Sequence, residues 1–442
     1  MNPVFLAIAG LLFIAQLSLP KQWGFVPALI AASHLSNLEI LPELSPTRLL
    51  VLTGLARAVS QGFMVWPSSK SRLDVLFVCF AFFTMFSTVG HTPDQWAQSP
   101  FANRAGLVLN IVGGYLYGRT FIPDISAFRR FASILPLILV PLAIIMMIQL
   151  RTEKNLYSYI GAGAGESNIR EDKIRAQGPF RGPITAGSLG ATTLPLAFIL
   201  WMSGRKKTAL IGFAACFGVV IACNSSGPLA AVSITVVSLI LWRGRSYLGH
   251  LLWFLVFIGI LHLVVTGRGP WWLMAKMDLV GGSTGYFRAE LISKGFIQYF
   301  GEWWLFGTDH TRHWMSTGVS WSPNHTDIVN YYLHMGVIGG LPLTLCLLGF
   351  IITCFGLLKN RMVELRALND PDELVLWRAG TALAAHAISF VSISYFDQMY
   401  IFFYLLVGAI PGLAATAGSL SERAASSAAP EPLPASHLRY YS

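Results

Sequence analysis

Long apolar runs separated by short polar breaks dominate the hydrophobic pattern of this chain. The runs are about 15–20 residues long, the length that a helix needs to cross a bilayer. Polar residues interrupt the second and third runs, so the pattern favours twelve full spans, with thirteen as the alternative. The predicted membrane helices lie near 4–19, 24–41, 49–66, 73–90, 104–121, 132–149, 185–203, 208–223, 228–242, 247–266, 331–358, 374–395 and 399–416.

The pattern predicts an all-α fold, a polytopic integral membrane protein with one transmembrane domain over residues 1–418. Two long polar loops, about 150–184 and 267–330, interrupt the apolar runs, and the second contains short helical patterns. The Ala-, Ser- and Pro-rich end, 419–442, is typical of a disordered tail. Residues 3–19 lack the positive start of a signal peptide and are predicted to be the first membrane helix.

Basic clusters between the apolar runs determine the predicted orientation. Arg129-Arg130 and the clusters at 205–207, 243–245 and 359–361 are of the kind that the positive-inside rule assigns to the cytoplasm. Both long loops then lie on the outer face, and the tail lies in the cytoplasm. The same rule accounts for much of the net charge of +10, so the charge does not indicate a nucleic-acid partner. All five cysteines lie in apolar runs, which indicates no disulfide framework.

The first long loop is basic and rich in turns just before a membrane helix begins. Arg170, Lys173, Arg175 and Arg181 lie in it, and guanidinium groups suit bidentate contact with a lipid-linked phosphate or diphosphate. The alternative is that they contact lipid headgroups or pair with the neighbouring acidic residues. Arg175 and Arg181 favour the binding role more strongly, because they flank a rigid Gly-Pro pair.

The second long loop contains a helical pattern from Tyr286 to Phe300. At 100° per residue, Arg288 shares a face with Ile292, Phe296 and Tyr299, whereas Glu290 and Lys294 form an i,i+4 pair on roughly the opposite side. An arginine among apolar residues needs an anionic partner. That partner is either a structural carboxylate or a substrate, and the pattern favours the substrate.

A polar, histidine-bearing stretch closes the second loop. Ser322 is a candidate N-cap with Pro323 at the first helical position, which would put His325 in the first turn of the next helix. A helix N-terminus disfavours imidazolium, so His325 would be neutral and able to accept a proton. The alternatives are a histidine that only bonds a loop carbonyl, or a metal site with His310 and His313, for which no ligand set is complete.

The arginine-bearing segments of the two loops and the histidine-bearing stretch, in this order, resemble motifs of the O-antigen ligase and O-antigen polymerase superfamily of bacterial cell-envelope glycosyltransferases. Its pattern Arg-x-x-Gly-x-Phe-x-x-Pro is similar to residues 175–183, and its loop arginine with a following Phe-Gly turn is similar to Arg288 with residues 304–307. Its histidine, eleven residues before Gly-x-Ile-Gly, is similar to His325 before residues 336–339. The resemblance covers roughly residues 170–345. Thr326 and Ile184 replace residues that are often asparagine in the family.

The resemblance implies a membrane glycosyltransferase that inverts the anomeric carbon without metal, cofactor or nucleotide sugar. Its donor would be a polyprenyl-diphosphate-linked glycan, its acceptor a glycan or lipid A–core, and its location the bacterial inner membrane with the site facing the periplasm. The catalytic residues would be His325 and Arg288, and Arg175, Arg181 and Arg288 would bind the diphosphate. Polymerase and ligase remain open, and a transporter or flippase of lipid-linked sugars is the alternative from another class.

Overall fold

The computed structural model describes residues 2–35, 44–90, 100–170, 172–276, 285–319 and 322–418, and the predicted tail 419–442 lies outside these ranges. Its helices are α1 (Pro3–Ser18), α2 (Val26–His34), α3 (Pro46–Ser60), α4 (Arg72–Phe86), α5 (Pro100–Val108), α6 (Gly114–Phe121), α7 (Ile125–Thr152), α8 (Pro183–Met202), α9 (Lys206–Cys223), α10 (Ser226–Leu241), α11 (Leu248–Thr266), α12 (Gly285–Ser293), α13 (Phe300–Trp303), α14 (Tyr331–Ala367), α15 (Asp372–Ser392) and α16 (Met399–Thr416). Its strands are β1 (Asn168–Arg170), β2 (Lys173–Arg175), β3 (Gly318–Val319) and β4 (Ser322–Thr326).

Eight helices of the described ranges are long and apolar enough to cross a membrane, and the chain is therefore an all-α membrane protein. Two shorter apolar helices, α1 and α10, have 16 residues each. The predicted count of twelve spans is not confirmed. The clearest departure is the predicted span 24–41, where α2 has only 9 residues, about half the length that the apolar core of a bilayer requires. Residues 36–41 of that prediction lie outside the described ranges.

Helix α16 forms the centre of the bundle. All its residues from Met399 to Ile410 are buried, and it packs against α6, α14 and α15. Gly118 of α6 and Gly408 of α16 allow the two backbones to approach closely, because a Cβ atom at either position would collide with a carbonyl group of the other helix. Helix α11 is the opposite case, since none of its residues is buried and its apolar surface is left to lipid.

Helix α14 is broken near its start, and the second loop packs into the break. Gly339 and Gly340 leave helical geometry, and Gly340 has φ of 79° and ψ of −175°. The amide of Leu341 donates to the carbonyl of Trp304 over 2.7 Å, and the amide of Thr308 donates to the carbonyl of Val337 over 2.9 Å. The loop turn at 304–307 and the glycine motif at 336–340, separate in the sequence, therefore form one contact.

We predict that Gly340→Ala destabilises the fold. Its backbone angles lie in a region that only glycine adopts readily, and a Cβ atom there would meet the carbonyl of Leu305, so the expected loss is about 1–3 kcal/mol or more. Thermal unfolding in detergent measures it. Gly356→Ala is the matched control on the same helix, because nothing lies within 4 Å of a Cβ atom there. Equal melting temperatures of the two variants would contradict the prediction.

Candidate functional site

The first loop forms a short hairpin that is tied to the membrane helices. Strand β1 pairs antiparallel with β2, and Asn168 lies opposite Arg175. The amide of Ala176, next to Arg175, donates to the carbonyl of Ala222 over 2.9 Å, and the Asn224 side chain donates to the carbonyl of Ile174 over 3.4 Å. The turn after α9 therefore positions the strand that carries Arg175.

Two buried polar side chains, Gln149 and Asn155, hold the next segment of the loop. Gln149 accepts hydrogen bonds from the amides of Gln177 and Gly178 over 3.2 and 3.1 Å, and Asn155 donates to the carbonyl of Gly178 over 2.7 Å. Helix α8 then begins at Pro183, with the exposed Arg181 just before it. The Arg181 guanidinium lies 5.7 Å from the centre of the Phe396 ring, a cation–π contact. The hydrogen bonds at Gln177 and Gly178 thus fix the backbone just before Arg181, while the Arg181 side chain stays accessible to solvent.

Arg288 lies on α12 and is 6% exposed. The predicted apolar face is confirmed for Ile292, which is buried like Arg288. The predicted i,i+4 ion pair is also confirmed, because Lys294 contacts Glu290 at 2.8 Å. A π-helical turn at Lys294–Gln298 follows α12. Below it lies a small separate core, which holds the second loop against the start of α14 and consists of Leu291, Trp303, Trp314, Met315, Ile328, Leu333 and Val337.

The predicted helix start at Ser322 is wrong. Residues 322–326 form β4, which pairs with β3, and α14 begins only at Tyr331, after Asn330 has capped it by accepting from the amide of Leu333 over 3.0 Å. Thr326 explains the difference, because its hydroxyl donates to the carbonyl of Thr317 over 2.6 Å and draws the segment into the hairpin. The helix-terminus argument for a neutral imidazole therefore does not apply to His325.

His325 instead has a side-chain partner on its own strand. Its Nδ1 lies 2.9 Å from the Ser322 hydroxyl, which also accepts from the amide of Asn324 over 3.3 Å. When Nδ1 donates its proton to this oxygen, Nε2 carries the lone pair and can accept a proton. A partly exposed histidine in this tautomer is suited to general-base chemistry.

The two loops bring their arginines together at one end of the bundle, which we call the loop face. The charge of Arg288 interacts with those of Arg170 and Arg175, and Arg181 and Arg288 both act on the Asp327 carboxyl. We call Arg170, Arg175, Arg181 and Arg288 the arginine cluster. The predicted diphosphate-binding residues of the two loops are therefore neighbours, although Arg288 lies more than 100 positions after Arg175 and Arg181.

In the described part of the chain, the charges that act on Arg288 are mainly positive. Burial, together with Arg170 and Arg175, lowers the pKa of Arg288 to about 10, and Asp327 only partly opposes this shift. Within the described ranges, the buried Nε atoms of Arg288 and Arg175 have no hydrogen-bond partner. A buried guanidinium without a bonded partner is costly, so the arrangement is suited to an anionic ligand.

Asp327 is the carboxylate whose charge acts on Arg288 of this cluster. Its side chain is exposed, yet desolvation by the surrounding protein raises its pKa, against the opposing effects of Arg181 and Arg288. Because its side chain is exposed, the interactions of Asp327 with the arginines are weak.

We predict that Asp327→Asn strengthens anion binding at the arginine cluster by about two- to fivefold, the effect of one exposed charge. In the wild type, protonation of Asp327 has the same result, so affinity rises as the pH falls through its raised pKa. Titration with undecaprenyl diphosphate at several pH values measures this. In the variant, the part of the pH dependence due to Asp327 is lost. Weaker binding by the variant would contradict the prediction.

A second cationic position, not predicted from the sequence, lies beside the cluster. Arg104 of α5 is half-buried, and its charge interacts with Asp309 and Tyr400. His334 of α14 interacts electrostatically with both Arg104 and His325. One signal could have revealed Arg104, because it opens the predicted span 104–121, and an ionisable residue in an apolar segment indicates function.

The described residues contain no group of three or more side chains suited to holding a metal ion. His313 bonds the carboxyl group of Glu302 over 3.1 Å, and Trp314 donates to the same carboxyl group over 2.9 Å. Neither protein-family models nor curated proteins give a match to this chain. The fold and the site thus define an all-α membrane protein with a cluster of arginines and histidines at its loop face.

Proposed function

We propose that this protein is a membrane glycosyltransferase that takes its glycan from a polyprenyl diphosphate. The observation that carries the proposal is the buried guanidinium of Arg288, which has an unbonded Nε within the described ranges and neighbours that are mainly cationic. A diphosphate supplies the missing negative charge and acceptor oxygens. The lipid tail of such a donor would extend into the bilayer beside the apolar helices.

In the proposed reaction, an acceptor hydroxyl attacks the anomeric carbon of the donor. Nε2 of His325 takes the hydroxyl proton while the new carbon–oxygen bond forms. The bond between the anomeric carbon and the diphosphate oxygen breaks, and its electron pair leaves with the lipid diphosphate. Arg175, Arg181 and Arg288 stabilise the charge that develops on this leaving group. Direct displacement inverts the anomeric carbon and consumes no cofactor.

The orientation and the product belong to the proposal as well. We propose that the chain has twelve spans in a bacterial inner membrane, that its loop face points into the periplasm, and that 419–442 is a cytoplasmic tail.

Polymerisation of exopolysaccharide or O-antigen repeat units is favoured over ligation to lipid A–core, because no feature is specific to a ligase. A ladder of chain lengths without lipid A–core identifies a polymerase, whereas product that forms only after its addition identifies a ligase.

A transporter or flippase of lipid-linked sugars is the second candidate function. Transporters usually place ionisable groups near the middle of the membrane between repeated halves. The candidate residues here come mainly from the two loops: His325 lies on β4, and Asp327 follows that strand before α14 begins. This location favours an enzyme.

The test supplies the purified protein in detergent with a lipid-linked repeat unit and follows donor consumption. We expect the wild type to form a glycosidic product and to release lipid diphosphate. The same protein in vesicles, with the repeat unit on one side, tests for transport. Movement of the unit across the membrane without consumption of donor would refute the enzyme and support the transporter.

A further inference from the structure

Arg378 of α15 is a buried arginine at the end of the bundle opposite the loop face. Its guanidinium carbon lies 5.1 Å from the centre of the Phe198 ring of α8, and its Nη1 lies 3.5 Å from the Ser238 hydroxyl of α10. Helix α8 begins at Pro183, just after Arg181 at the loop face, and Phe198 lies about 22 Å further along this helix. Arg378 is therefore separate from the arginine cluster.

Arg378 has no negatively charged partner in the described part of the chain. It is 6% exposed, and its buried Nε has no hydrogen-bond partner there. The carboxylate nearest to it along the chain, Glu373, accepts hydrogen bonds from Arg245 over 2.8 and 3.0 Å and from Arg366 over 2.8 Å. The contacts of Arg378 itself, a phenyl ring and a hydroxyl, provide no negative charge. The guanidinium is therefore suited to an anion from outside the chain.

A second polar group of the same helix junction also lacks a partner. Thr235 lies one turn from Ser238 on the same face of α10, and its buried hydroxyl has no hydrogen-bond partner within the described ranges. Trp377, next to Arg378 in the sequence, donates to the Ser238 carbonyl over 3.1 Å and fixes α15 against α10 at this level. The junction of α8, α10 and α15 thus contains an unbonded guanidinium nitrogen and an unbonded hydroxyl.

The contacts of Arg378 lie at the level of lipid headgroups. Phe198 and Ser238 are each about one turn from the end of their helices, α8 and α10. The rings of Trp377 and Trp242 pack together at 5.7 Å beside them, and tryptophans are enriched at the boundary between headgroups and acyl chains. The phosphate groups of membrane lipids lie next to this boundary, so a lipid phosphate is within reach of the guanidinium.

The surface next to these contacts is apolar and has a basic edge. Phe198 and Trp201 of α8 pack on the same ring of Phe213, at 4.6 and 6.3 Å, and Trp201 is exposed. The ammonium of Lys206, an exposed residue, lies 5.8 Å from the centre of the Trp201 ring. Val237 of α10 is exposed as well. The apolar side chains suit acyl chains, and the lysine suits an anionic headgroup.

We propose that Arg378 binds the phosphate group of an anionic phospholipid in the leaflet opposite the loop face. The guanidinium donates to the phosphate oxygens, Lys206 lies at the headgroup, and the acyl chains pack on Trp201 and Val237. Free phosphate offers the same oxygens but no acyl chains, so the apolar surface favours the lipid. Basic pockets between membrane helices bind anionic headgroups in this way. The site does not depend on the proposed glycan transfer, because it lies at the other end of the bundle.

Lipid titration of the whole chain in detergent tests the site without donor or acceptor. Native mass spectrometry follows the binding of phosphatidylglycerol to the delipidated protein. We expect Arg378→Gln to bind the first lipid about 10- to 100-fold more weakly than the wild type, the effect of losing charge-assisted hydrogen bonds. Arg378→Lys keeps the charge and is expected to lie between the two. Arg243→Gln is the matched control, because it removes an exposed arginine at the same end and should bind within about twofold of the wild type.

Two further ligands identify the anion that Arg378 binds. Phosphatidylcholine has the same phosphate and acyl chains but no net charge, and the wild type is expected to bind it about fivefold more weakly than phosphatidylglycerol. Inorganic phosphate is expected not to displace phosphatidylglycerol, because it lacks acyl chains. Displacement by inorganic phosphate would identify a free anion as the ligand and would overturn the lipid. Equal affinity of the wild type for the two phospholipids would overturn the anionic headgroup without the use of any variant.

Melting temperatures separate a lipid site from a structural contact. Arg378→Met removes a buried charge that has no ion pair, so without lipid it should melt at or above the wild-type temperature. Phosphatidylglycerol should raise the melting temperature of the wild type and of Arg243→Gln, and should raise that of Arg378→Met much less. An equal rise in Arg378→Met, or equal affinity of the wild type and Arg378→Gln for phosphatidylglycerol, would overturn the site.

Discussion

Arg288→Met is expected to remove glycan transfer almost completely and to leave the fold as stable as before or more stable. The loss in kcat/KM should be about 10²- to 10³-fold, the effect of removing one preorganised group that stabilises leaving-group charge. Methionine fills a similar volume without charge. Because the guanidinium is 6% exposed and its Nε is unbonded within the described ranges, its replacement removes a cost to folding of about 1 kcal/mol or more.

Activity and stability together distinguish the two interpretations of this arginine. A structural salt bridge predicts a lower melting temperature for Arg288→Met, and a substrate-binding arginine predicts an unchanged or higher one with lost transfer. Lys294→Met is the matched control on the same helical segment. Lys294 forms a partly exposed ion pair with Glu290, so its loss should change activity by less than about twofold. Full transfer by Arg288→Met would remove Arg288 from the proposed site.

His325→Ala is expected to reduce kcat by about 10²- to 10⁴-fold, the usual contribution of a positioned general base. Undecaprenyl diphosphate should still bind to the variant, because the arginine cluster is intact. Initial rates of glycan transfer and titration with undecaprenyl diphosphate measure the two effects.

A second substitution separates a base from an orienting hydrogen-bond partner. Asn at position 325 keeps a hydrogen-bonding side chain but takes no proton at neutral pH. His325→Asn should be as slow as His325→Ala if His325 is the base, and much faster if it only orients the acceptor. His313→Ala is the control, because His313 is an exposed histidine of the same loop that bonds Glu302. A wild-type rate in His325→Ala would exclude both roles.

Some local patterns near the site were predictable because they depend only on near neighbours along the chain. The helical face that carries Arg288 and Ile292 and the Glu290–Lys294 pair follow from the helical repeat and are present. The capping signal at Ser322 failed because Thr326, Thr317 and β3 compete for the same backbone. Asn330, directly before the apolar run, has the capping role. Local propensity does not include such contacts across a hairpin.

What the sequence by itself determined is the class of the protein and the residue types available to it. Apolar runs of membrane-crossing length require helices, since a backbone in lipid must satisfy its own hydrogen bonds, and the arginines and His325 stand out against that background. Only the tertiary structure decided that residues 304–307 close onto the break in α14, and that Arg175 and Arg288 lie close enough for their charges to interact. It also added Arg104, His334 and Phe396. Such neighbours are determined by helix packing and loop hydrogen bonds between distant segments, which no local pattern encodes.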